Sequence, residues 1–413
     1  AWLAFRGDAM QRGRQLAILF LSIARGHARH CCSTENGAVM ICCLVANSAW
    51  NISNFRAGLI QTLREQGHDV HIVAPPGAEL AMLAAQGCQV HEVNMDCRGT
   101  HPVRDGRLLL TLWQTYRRIR PDIVLHYTIK PVIYGSLAAH LLGIPALNTI
   151  TGLGTAFLRH GWLNRMVKRL YKLALASAPI VIFQNADDRS LFVQAGLLRA
   201  EHAMLVPGSG VDITRFSPQP LPDQAGDAPV FLLVGRMLRD KGVVEFVEAA
   251  AHVRQACPKA RFALLGFVGV ENVSAISAAQ MDAWVAAGAV EYWGAASDVQ
   301  PMLAQADCIV LPSYREGMPR TLLEGGAMGR PLVATDVPGC REVVKDGETG
   351  FLCEVKRVDA LAEAMLKVVG LSPHQRAELG HAARQHVVSQ FAEKYVIDSY
   401  IKFIYSITRN VRE

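Results

Sequence analysis

Two glutamates and the helix start between them are the residues of this chain with the clearest potential for chemistry. Glu316 follows an apolar run and precedes Gly317, and Glu324 lies eight positions later in a predicted helix that opens at Pro319. A helix start presents free backbone N–H groups and a partial positive charge, which suits a phosphate. The pair could therefore bind hydroxyl groups at two ends of one ligand whose phosphates lie between them. This context favours a ligand site over two solvated surface acids.

Two cations precede the glutamates in the same half of the chain. Arg236 and Lys241 flank a short loop after an apolar run that ends at Gly235. Two cations beside a helix start at a strand's carboxyl end suit a diphosphate, through charge-assisted hydrogen bonds. Alone, a loop arginine or lysine is more often simply solvated. Together with the glutamates, the two cations predict a cleft that binds a nucleotide sugar.

Such a site needs strands that end at the same edge of a sheet. From Met40 onward, apolar runs alternate with helical patterns. This alternation predicts two sheets of that kind. The pattern predicts an α/β fold with two Rossmann-like doubly wound domains that face an interdomain cleft. The predicted strands are 41–46, 69–74, 89–93, 122–126, 146–150, 180–183, 230–234, 261–265, 290–293, 308–311 and 332–335. The predicted helices are 55–66, 80–85, 108–119, 132–142, 163–176, 243–255, 299–304, 319–328 and 360–369.

A proline-rich connector divides the chain. It lies near residues 206–222 and predicts an acceptor-binding domain over 40–205 and a nucleotide-sugar domain over 206–385. An apolar, aromatic helix near 395–407, within a terminal segment of 386–413, is expected to pack back towards the first domain.

The first 39 residues form a separate extension. Their short apolar run at 15–24 resembles a signal-peptide core but is not followed by a clear cleavage site. Three interpretations stay open: sequence translated ahead of the true start, a membrane-associating extension, and a secretion signal.

Composition narrows the class of protein. The chain has 413 residues, of which 51% are hydrophobic and 19% charged, so a disordered chain, a collagen and a small disulfide scaffold are excluded. No apolar stretch reaches the roughly 18 residues of a spanning helix, which excludes a multi-pass membrane protein. Ten cysteines form no Cys-x-x-Cys motif, so a metal or redox motif is not predicted and a reducing cytoplasm is the simplest location.

The net charge of +6 is unevenly distributed along the chain. Residues 40–205 hold 16 basic and 10 acidic residues, whereas residues 206–413 hold 21 and 24. A basic first half indicates an anionic partner, either a membrane surface or a phosphate-rich substrate. Residues 158–176 fit a basic amphipathic helix, which could lie on an anionic membrane or simply cover the sheet with a solvated outer face.

The order of these motifs resembles the retaining GT-B glycosyltransferases of family 4. The resemblance rests on Arg236 and Lys241, on the Glu-x7-Glu pair and on a Gly-Val-Asp-x-x-Arg-Phe-x-Pro motif from Gly210. It extends from Met40 to the C-terminus. The runs 47–56, 127–135 and 151–154 are similar to a bacterial branch that adds N-acetylhexosamines, such as N-acetylgalactosamine, to undecaprenyl-diphosphate-linked sugars.

The resemblance implies a role for each matching residue. Arg236 and Lys241 would neutralise the donor diphosphate as UDP leaves, Glu324 would bind the ribose, and Glu316 would hold the donor sugar. The remaining donor-binding residues are the backbone of Gly317, Met318 and Pro319, the strand-end Gly235, and Gly266 and Trp293 beside the base. The resemblance implies a UDP-sugar co-substrate, with no cofactor and no metal, and retention by attack on the face from which the phosphate leaves.

The acceptor side departs from the family pattern in two places. The usual Gly-Gly loop after the first strand is replaced by a run from Asn47 to Trp50, and the usual His-x-His by His126, Tyr127 and Thr128. His126 fits both a functional histidine and a satisfied strand-end histidine. The other acceptor-side candidates are Lys130, which fits either a diphosphate ligand or a surface lysine, and Gly152 and Gly154.

The resemblance implies three partners, which are a UDP-sugar, a lipid-linked saccharide and an anionic membrane surface. It implies no nucleic acid. The implied location is the inner face of the plasma membrane. An NAD-dependent oxidoreductase is excluded, because Gly152 and Gly154 lack the third glycine and no acid follows between residues 155 and 186. A sugar-nucleotide epimerase of the same fold and a non-catalytic, membrane-docked homologue remain as alternatives.

Overall fold

Two parallel sheets organise the computed structural model, which describes residues 39–96, 101–153, 161–222 and 229–412. The seven-stranded sheet has the order β3-β2-β1-β4-β5-β6-β7, and the six-stranded sheet has the order β10-β9-β8-β11-β12-β13. The strands are β1 Ile41–Val45, β2 Asp69–Ala74, β3 Gln89–Glu92, β4 Ile123–Tyr127, β5 Ala146–Ile150, β6 Ile180–Phe183, β7 Ala203–Leu205, β8 Val230–Val234, β9 Arg261–Leu265, β10 Glu291–Tyr292, β11 Cys308–Leu311, β12 Leu332–Thr335 and β13 Gly350–Cys353.

Helices connect the strands and cover the sheets. They are α1 Ala49–Phe55, α2 Ala57–Glu65, α3 Ala78–Ala85, α4 Pro102–Ile119, α5 Ser136–Leu141, α6 Trp162–Leu175, α7 Ala186–Gln194, α8 Val243–Ala256, α9 Ala278–Ala286, α10 Gln300–Ala304, α11 Arg320–Ala327, α12 Cys340–Val343, α13 Val358–Gly370, α14 Pro373–Phe391 and α15 Glu393–Arg412. We call the first sheet with its helices the N half and the second sheet with its helices the C half.

The predicted α/β architecture with two doubly wound sheets is confirmed. The central strands are apolar runs that are buried throughout, as in β8 and β11, because helices cover both faces of a parallel sheet. Cys42 and Cys43 lie inside β1 as small apolar side chains, and burial raises the pKa of the Cys42 thiol to about 12.

Several predicted elements were wrong in detail. The predicted helix 55–66 is two helices, α1 and α2, because the Ser48 hydroxyl accepts the Asn51 N–H at 3.2 Å and starts a helix six residues earlier. Pro319 has an extended backbone and precedes α11 as its cap, so it is not the first helical residue. The predicted helix 132–142 begins as a π-helical turn, Pro131–Gly135, that leads into α5. Strands β7 and β13 and helices α7, α9, α12 and α14 were not predicted.

Helix α15 joins the end of the chain to the N half. The chain leaves the C half at Ala392, where the Glu393 N–H donates to the Val211 carbonyl at 2.9 Å. Buried Val396, Tyr400 and Ile404 then pack into the same core as helix α2 and strand β1. The Tyr400 hydroxyl lies 2.7 Å from the Thr149 hydroxyl in β5, so the last helix is tied to the sheet by a buried polar contact as well as by packing.

Helix α6 packs its apolar face onto the N half. Val167, Tyr171 and Ala174 are buried against the sheet, whereas Arg165 and Lys172 are exposed. The apolar face is therefore occupied by the protein, and only the charged outer face could meet a membrane. Within the described ranges, none of the helices combines the length and the apolar character that crossing a bilayer requires.

Replacing Ile404 by alanine should weaken the junction between α15 and the N half. The loss of a fully buried isoleucine is expected to lower the free energy of unfolding by about 2–5 kcal/mol. The measurement is urea unfolding followed by circular dichroism. The exposed neighbour Lys402→Ala should change the value by less than about 0.5 kcal/mol, and equal effects of the two substitutions would show that α15 is not packed as described.

Candidate functional site

The loops that follow β8, β9 and β11 meet at the carboxyl edge of the C half. Two glycines allow these loops to approach one another closely. A Cβ at Gly242 would collide with the Pro312 carbonyl, and a Cβ at Gly266 would collide with the Gly235 carbonyl. Both glycines have positive φ values, +73° and +144°, which other residues rarely adopt. Close backbone approach therefore brings the residues of three strand ends into one cleft.

Lys241 and Glu316 form an ion pair in that cleft. The Lys241 ammonium donates to Glu316 Oε1, and the Ser313 hydroxyl donates to the same oxygen at 2.6 Å. The side chains are only 24% and 12% exposed, so each charge depends on the other for compensation. The structure thus brings together two residues that are 75 positions apart in sequence.

Glu324 is the more deeply buried carboxylate of the predicted pair. Burial raises the pKa of Glu324 above its usual value, and the nearby Arg320 opposes that rise. Arg320 Nη2 lies 3.0 Å from Glu324 Oε1, one helical turn away on α11. Arg320 also donates to the Asn54 carbonyl, and its guanidinium lies 5.2 Å from the centre of the Phe55 ring, so it reaches from the C half to the N half.

The other predicted donor residues lie around the same edge. Arg236 is exposed and makes no hydrogen bond or ion pair with any residue that the structure describes. The Gly235 N–H donates to the Leu265 carbonyl at 2.9 Å, which holds the ends of β8 and β9 together. Trp293 is half-buried, and its indole N–H donates to Glu291 at 2.9 Å. Met318 packs against Gly208, where a Cβ would come within 2.7 Å of it.

The loop that carries Glu316 also contacts the N half. Asn185 Nδ2 donates to the Gly317 carbonyl at 2.9 Å, and Arg315 pairs with the buried Asp188. A Cβ at Gly317 would lie 2.5 Å from the Thr151 carbonyl. Asn185, Asp188 and Arg315 were not predicted from the sequence. An Asn followed by two acids is a helix start signal that could have located α7, but nothing local connects it with a loop 130 residues away.

Thr128, one of the predicted acceptor-side residues, has an unusual backbone conformation directly after β4. Its φ of +67° is rare for a β-branched residue, and its hydroxyl accepts the Asn47 N–H at 3.2 Å. Trp50 is half exposed and lies edge to face with Phe55 at 5.2 Å between ring centres. Gly152 has a φ of +146°, and Gly154 lies outside the described residues.

His126 is a structural histidine of the sheet interior. The side chain is fully buried, with the Tyr116 hydroxyl 3.0 Å from Nε2 and Asn148 Oδ1 2.9 Å from Nδ1. Burial lowers the pKa of His126 to about 4, so it is neutral near pH 7. The structure thus places His126 inside the sheet with a polar partner at each ring nitrogen, which is the environment of a satisfied strand-end histidine.

Lys130 is already paired. Its ammonium lies 2.9 Å from Asp105 Oδ1, and the two side chains are 12% and 7% exposed. Asp105 also accepts the His101 N–H at 3.0 Å. Because its ammonium is mostly buried and its charge is balanced by Asp105, Lys130 is not an ordinary surface lysine.

Two family models match the chain, and together they cover more than two thirds of it. The model described as "Glycosyl transferase 4-like" matches residues 41–185, and the model described as "Glycosyl transferases group 1" matches residues 228–370. The matched segments correspond to most of the N half and to most of the C half.

Two curated relatives resemble the chain over most of its length. An N,N'-diacetylbacillosaminyl-diphospho-undecaprenol alpha-1,3-N-acetylgalactosaminyltransferase of Campylobacter jejuni is 26% identical, over 89% of this chain and 99% of that one. A UDP-Gal:alpha-D-GlcNAc-diphosphoundecaprenol alpha-1,3-galactosyltransferase of Escherichia coli is 24% identical, over 75% and 82%. Among solved structures, Anabaena Alr3699/HepE in complex with UDP-glucose superposes with a TM-score of 0.74 at 20% identity, over 89% of this chain and all of that one.

The buried His126 predicts a specific dependence of stability on pH. Its pKa is about 4 in the folded protein and near 6.5 when solvated, so the unfolded chain takes up the proton first as the pH falls. The free energy of unfolding should therefore fall between pH 6.5 and 4, by about 3 kcal/mol from this group. Urea titrations across that range should show a shallower fall for His126→Gln than for the natural protein.

The matched control is His252→Gln, which replaces an exposed histidine of α8. It should leave the pH profile as it is in the natural protein. If the free energy of unfolding falls equally with pH in His126→Gln and in the natural protein, His126 is not a buried neutral histidine.

Proposed function

The chain belongs to the group 1, family 4-like glycosyltransferases, and from that membership we propose that it transfers an N-acetylhexosamine from a UDP-sugar to a polyprenyl-diphosphate-linked saccharide. The chain is an enzyme of the glycosyltransferase class. The donor, the acceptor and retention of the anomeric configuration are the proposed part. Cell-surface polysaccharide or glycan assembly is the process in which such a transfer would serve.

The Lys241–Glu316 ion pair is the observation that carries the proposal. A ligand that enters the cleft separates two mostly buried charges and must compensate both. A nucleotide sugar does so with adjacent groups, because the diphosphate accepts from Lys241 and the sugar hydroxyls donate to Glu316. The exposed Arg236 adds a second cation for the diphosphate.

The rest of the donor fits the remaining residues. The buried Glu324 would accept hydrogen bonds from the ribose hydroxyls, with Arg320 beside it as a counter-charge. Gly266 and Trp293 would line the base pocket at the ends of β9 and β10. The backbone from Gly317 through Met318 to Pro319 would bind the donor sugar together with Glu316.

We propose transfer with retention and without a metal ion. The acceptor hydroxyl would attack on the face from which UDP departs, forming the new C–O bond as the bond to the diphosphate breaks. The leaving phosphate would take the acceptor's proton. Lys241 and Arg236 would neutralise the charge that develops on the departing diphosphate, which is the task a divalent cation performs in other transferases.

The proposed acceptor rests on the names of the two curated relatives and on residues of the N half. Both curated relatives are named as acting on undecaprenol diphosphate-linked sugars. Asn47, Thr128 and Gly152 follow β1, β4 and β5 at the carboxyl edge of the first sheet, where Thr151 lies beside Gly317 of the loop that carries Glu316, which we call the donor loop. We assign the acceptor saccharide to these three residues and to Trp50. Trp50 offers a half-exposed ring on which a sugar could stack.

A cationic face on the N half supports docking at the cytoplasmic side of an anionic membrane. Between residues 101 and 185 the sequence contains only two acids, Asp105 and Asp122, of which Asp105 is buried. Helices α4, α5 and α6 pack side by side on one face of the sheet. The outer surfaces of α4 and α6 expose arginines and lysines together with Leu110 and Leu173. This surface would bring the site to a lipid-linked acceptor.

Glu316→Gln should abolish most of the transfer. The amide keeps the size of the side chain but loses the charge that holds Lys241 and the donor sugar, so the turnover number is expected to fall by about 100-fold or more. The measurement is mass-spectrometric detection of product from a panel of UDP-sugars and undecaprenyl-diphosphate-linked saccharides, with EDTA present. The control Glu363→Gln removes an exposed carboxylate of α13 and should keep full activity.

Three outcomes would contradict the proposal. They are transfer by no donor at all, full activity of Glu316→Gln, and isomerisation of the UDP-sugar without an acceptor, as an epimerase would give. Transfer that is lost in EDTA and restored by a divalent cation would overturn metal independence alone.

Neutralising the outer face of α6 should weaken binding to anionic vesicles. The triple variant Arg165→Gln, Arg169→Gln, Lys172→Gln is expected to reduce the fraction bound to phosphatidylglycerol vesicles in sedimentation, since each cation near such a surface contributes about 1 kcal/mol. The same three substitutions should leave transfer to a water-soluble acceptor analogue unchanged. Unchanged vesicle binding would argue against the membrane-facing assignment.

A further inference from the structure

The loop that carries Glu316 is held from both sides of the cleft. From the C half, the Asp240 carbonyl accepts the Tyr314 N–H at 2.9 Å, and the Pro338 carbonyl accepts the Glu316 N–H at 3.2 Å. From the N half, the loop is contacted by the first turn of α7 and by the ends of β5 and β6. The C-half contacts lie within one folding unit, whereas the N-half contacts exist only while the two halves are together.

The side-chain amide of Asn185 is fully used at this contact. Its Oδ1 accepts the Asp188 N–H at 2.8 Å and so caps α7. Its Nδ2 donates to the Gly317 carbonyl at 2.9 Å and to Asp188 Oδ2 at 3.3 Å. Because the oxygen is committed to the cap, the orientation of the amide is fixed, and the nitrogen is directed at the donor loop.

Asp188 supplies the second contact. Its side chain is 1% exposed, and its Oδ1 pairs with Arg315, the residue immediately before Glu316. A carboxylate so deeply buried needs its partners, because removing one of them leaves an uncompensated charge. The pair therefore opposes any movement of Arg315 away from α7.

Gly317 packs so closely against the N half that no side chain could be accommodated at this position. A Cβ there would lie 2.5 Å from the Thr151 carbonyl and 2.6 Å from Gln184 Oε1. The residues on both sides of Glu316 are thus fixed by the N half: Arg315 by a buried ion pair, and Gly317 by a hydrogen bond and close packing.

We propose that Asn185 and Asp188 are positioning residues of the donor site, which hold Glu316 in the geometry for transfer only while the two halves are in contact. Neither residue would touch the donor. Asn185 acts through the Gly317 carbonyl, and Asp188 acts through the Arg315 side chain. The inference rests on the proposed function, because it assigns these residues to the turnover of the same site.

The test compares neighbouring substitutions on α7. Asn185→Asp keeps a capping oxygen but places a second oxygen against the Gly317 carbonyl, and Asp188→Asn removes the buried charge at constant size. The matched control is Asp187→Asn. Asp187 also pairs across the cleft, with Arg341 at 3.6 Å, but that pair is 45% and 42% exposed and does not touch the donor loop.

The expected result is a split between turnover and UDP binding. Asn185→Asp and Asp188→Asn should lower the turnover number by about 10-fold or more, because small misplacements of a reacting group are costly. The dissociation constant for UDP, measured by calorimetry, should stay within about threefold, since the nucleotide is bound by the C half. Asp187→Asn should leave both quantities within about twofold.

A double variant separates positioning from loss of folding. In Asp188→Asn with Arg315→Gln, two amides replace the ion pair and can bond to each other. The turnover number should be no lower than that of Asp188→Asn alone, because the two residues act as one unit. A further additive loss would overturn the pairing, and so would a turnover number of Asn185→Asp equal to that of Asp187→Asn.

Hydrogen exchange tests the inference without using activity. Amides of residues 313–319 should exchange faster in Asn185→Asp than in the natural protein and be unchanged in Asp187→Asn. Equal exchange in all three proteins would refute the positioning role. Absence of transfer by the natural protein would instead refute the proposed function, while the exchange result would still decide the inference.

Discussion

The Lys241–Glu316 ion pair is the interaction on which the organisation of the cleft depends. Two opposite charges that are mostly buried stabilise each other only at short distance, so the strand ends that carry them must stay in contact. Gly242 and Gly266 make that contact sterically possible. The doubly wound sheets supply the rest, because the carboxyl ends of parallel strands lie at one edge.

The two halves contribute different properties to the site. The C half holds the charges suited to a diphosphate, a ribose and a sugar, close to β8, β9 and β11. The N half contributes a cationic helical face and the residues to which we assign the acceptor. Helix α15 and the contacts of Asn185, Asp188 and Arg320 connect the two, so that the donor loop depends on both halves of the chain.

Much of the fold could be predicted, because continuous apolar runs of parallel strands are a strong signal. Strands β2, β5, β6, β8, β9, β11 and β12 occur with the bounds that the pattern predicted. Helices α7 and α14 were missed although Asn185 and Ser372 are recognisable caps, the latter in a capping box with Gln375. Their apolar periodicity is too weak to reveal a helix without the caps.

The site could be predicted where its residues are local in sequence. Arg236 and Lys241 on one loop and Glu316 and Glu324 around one helix start gave a pattern that also carried the family resemblance, which the two family models confirm. The surroundings of His126 and Lys130 could not be predicted, because Tyr116, Asn148 and Asp105 reach them only in the folded sheet.

The most direct measurement of the central claim is a crystal structure of the protein bound to UDP. We expect that Lys241 leaves Glu316, that Lys241 and Arg236 lie about 3 Å from oxygens of the diphosphate, and that Glu324 accepts hydrogen bonds from the ribose. A UDP molecule bound elsewhere, or bound in the cleft with the Lys241–Glu316 pair intact and Glu324 still paired only with Arg320, would contradict it.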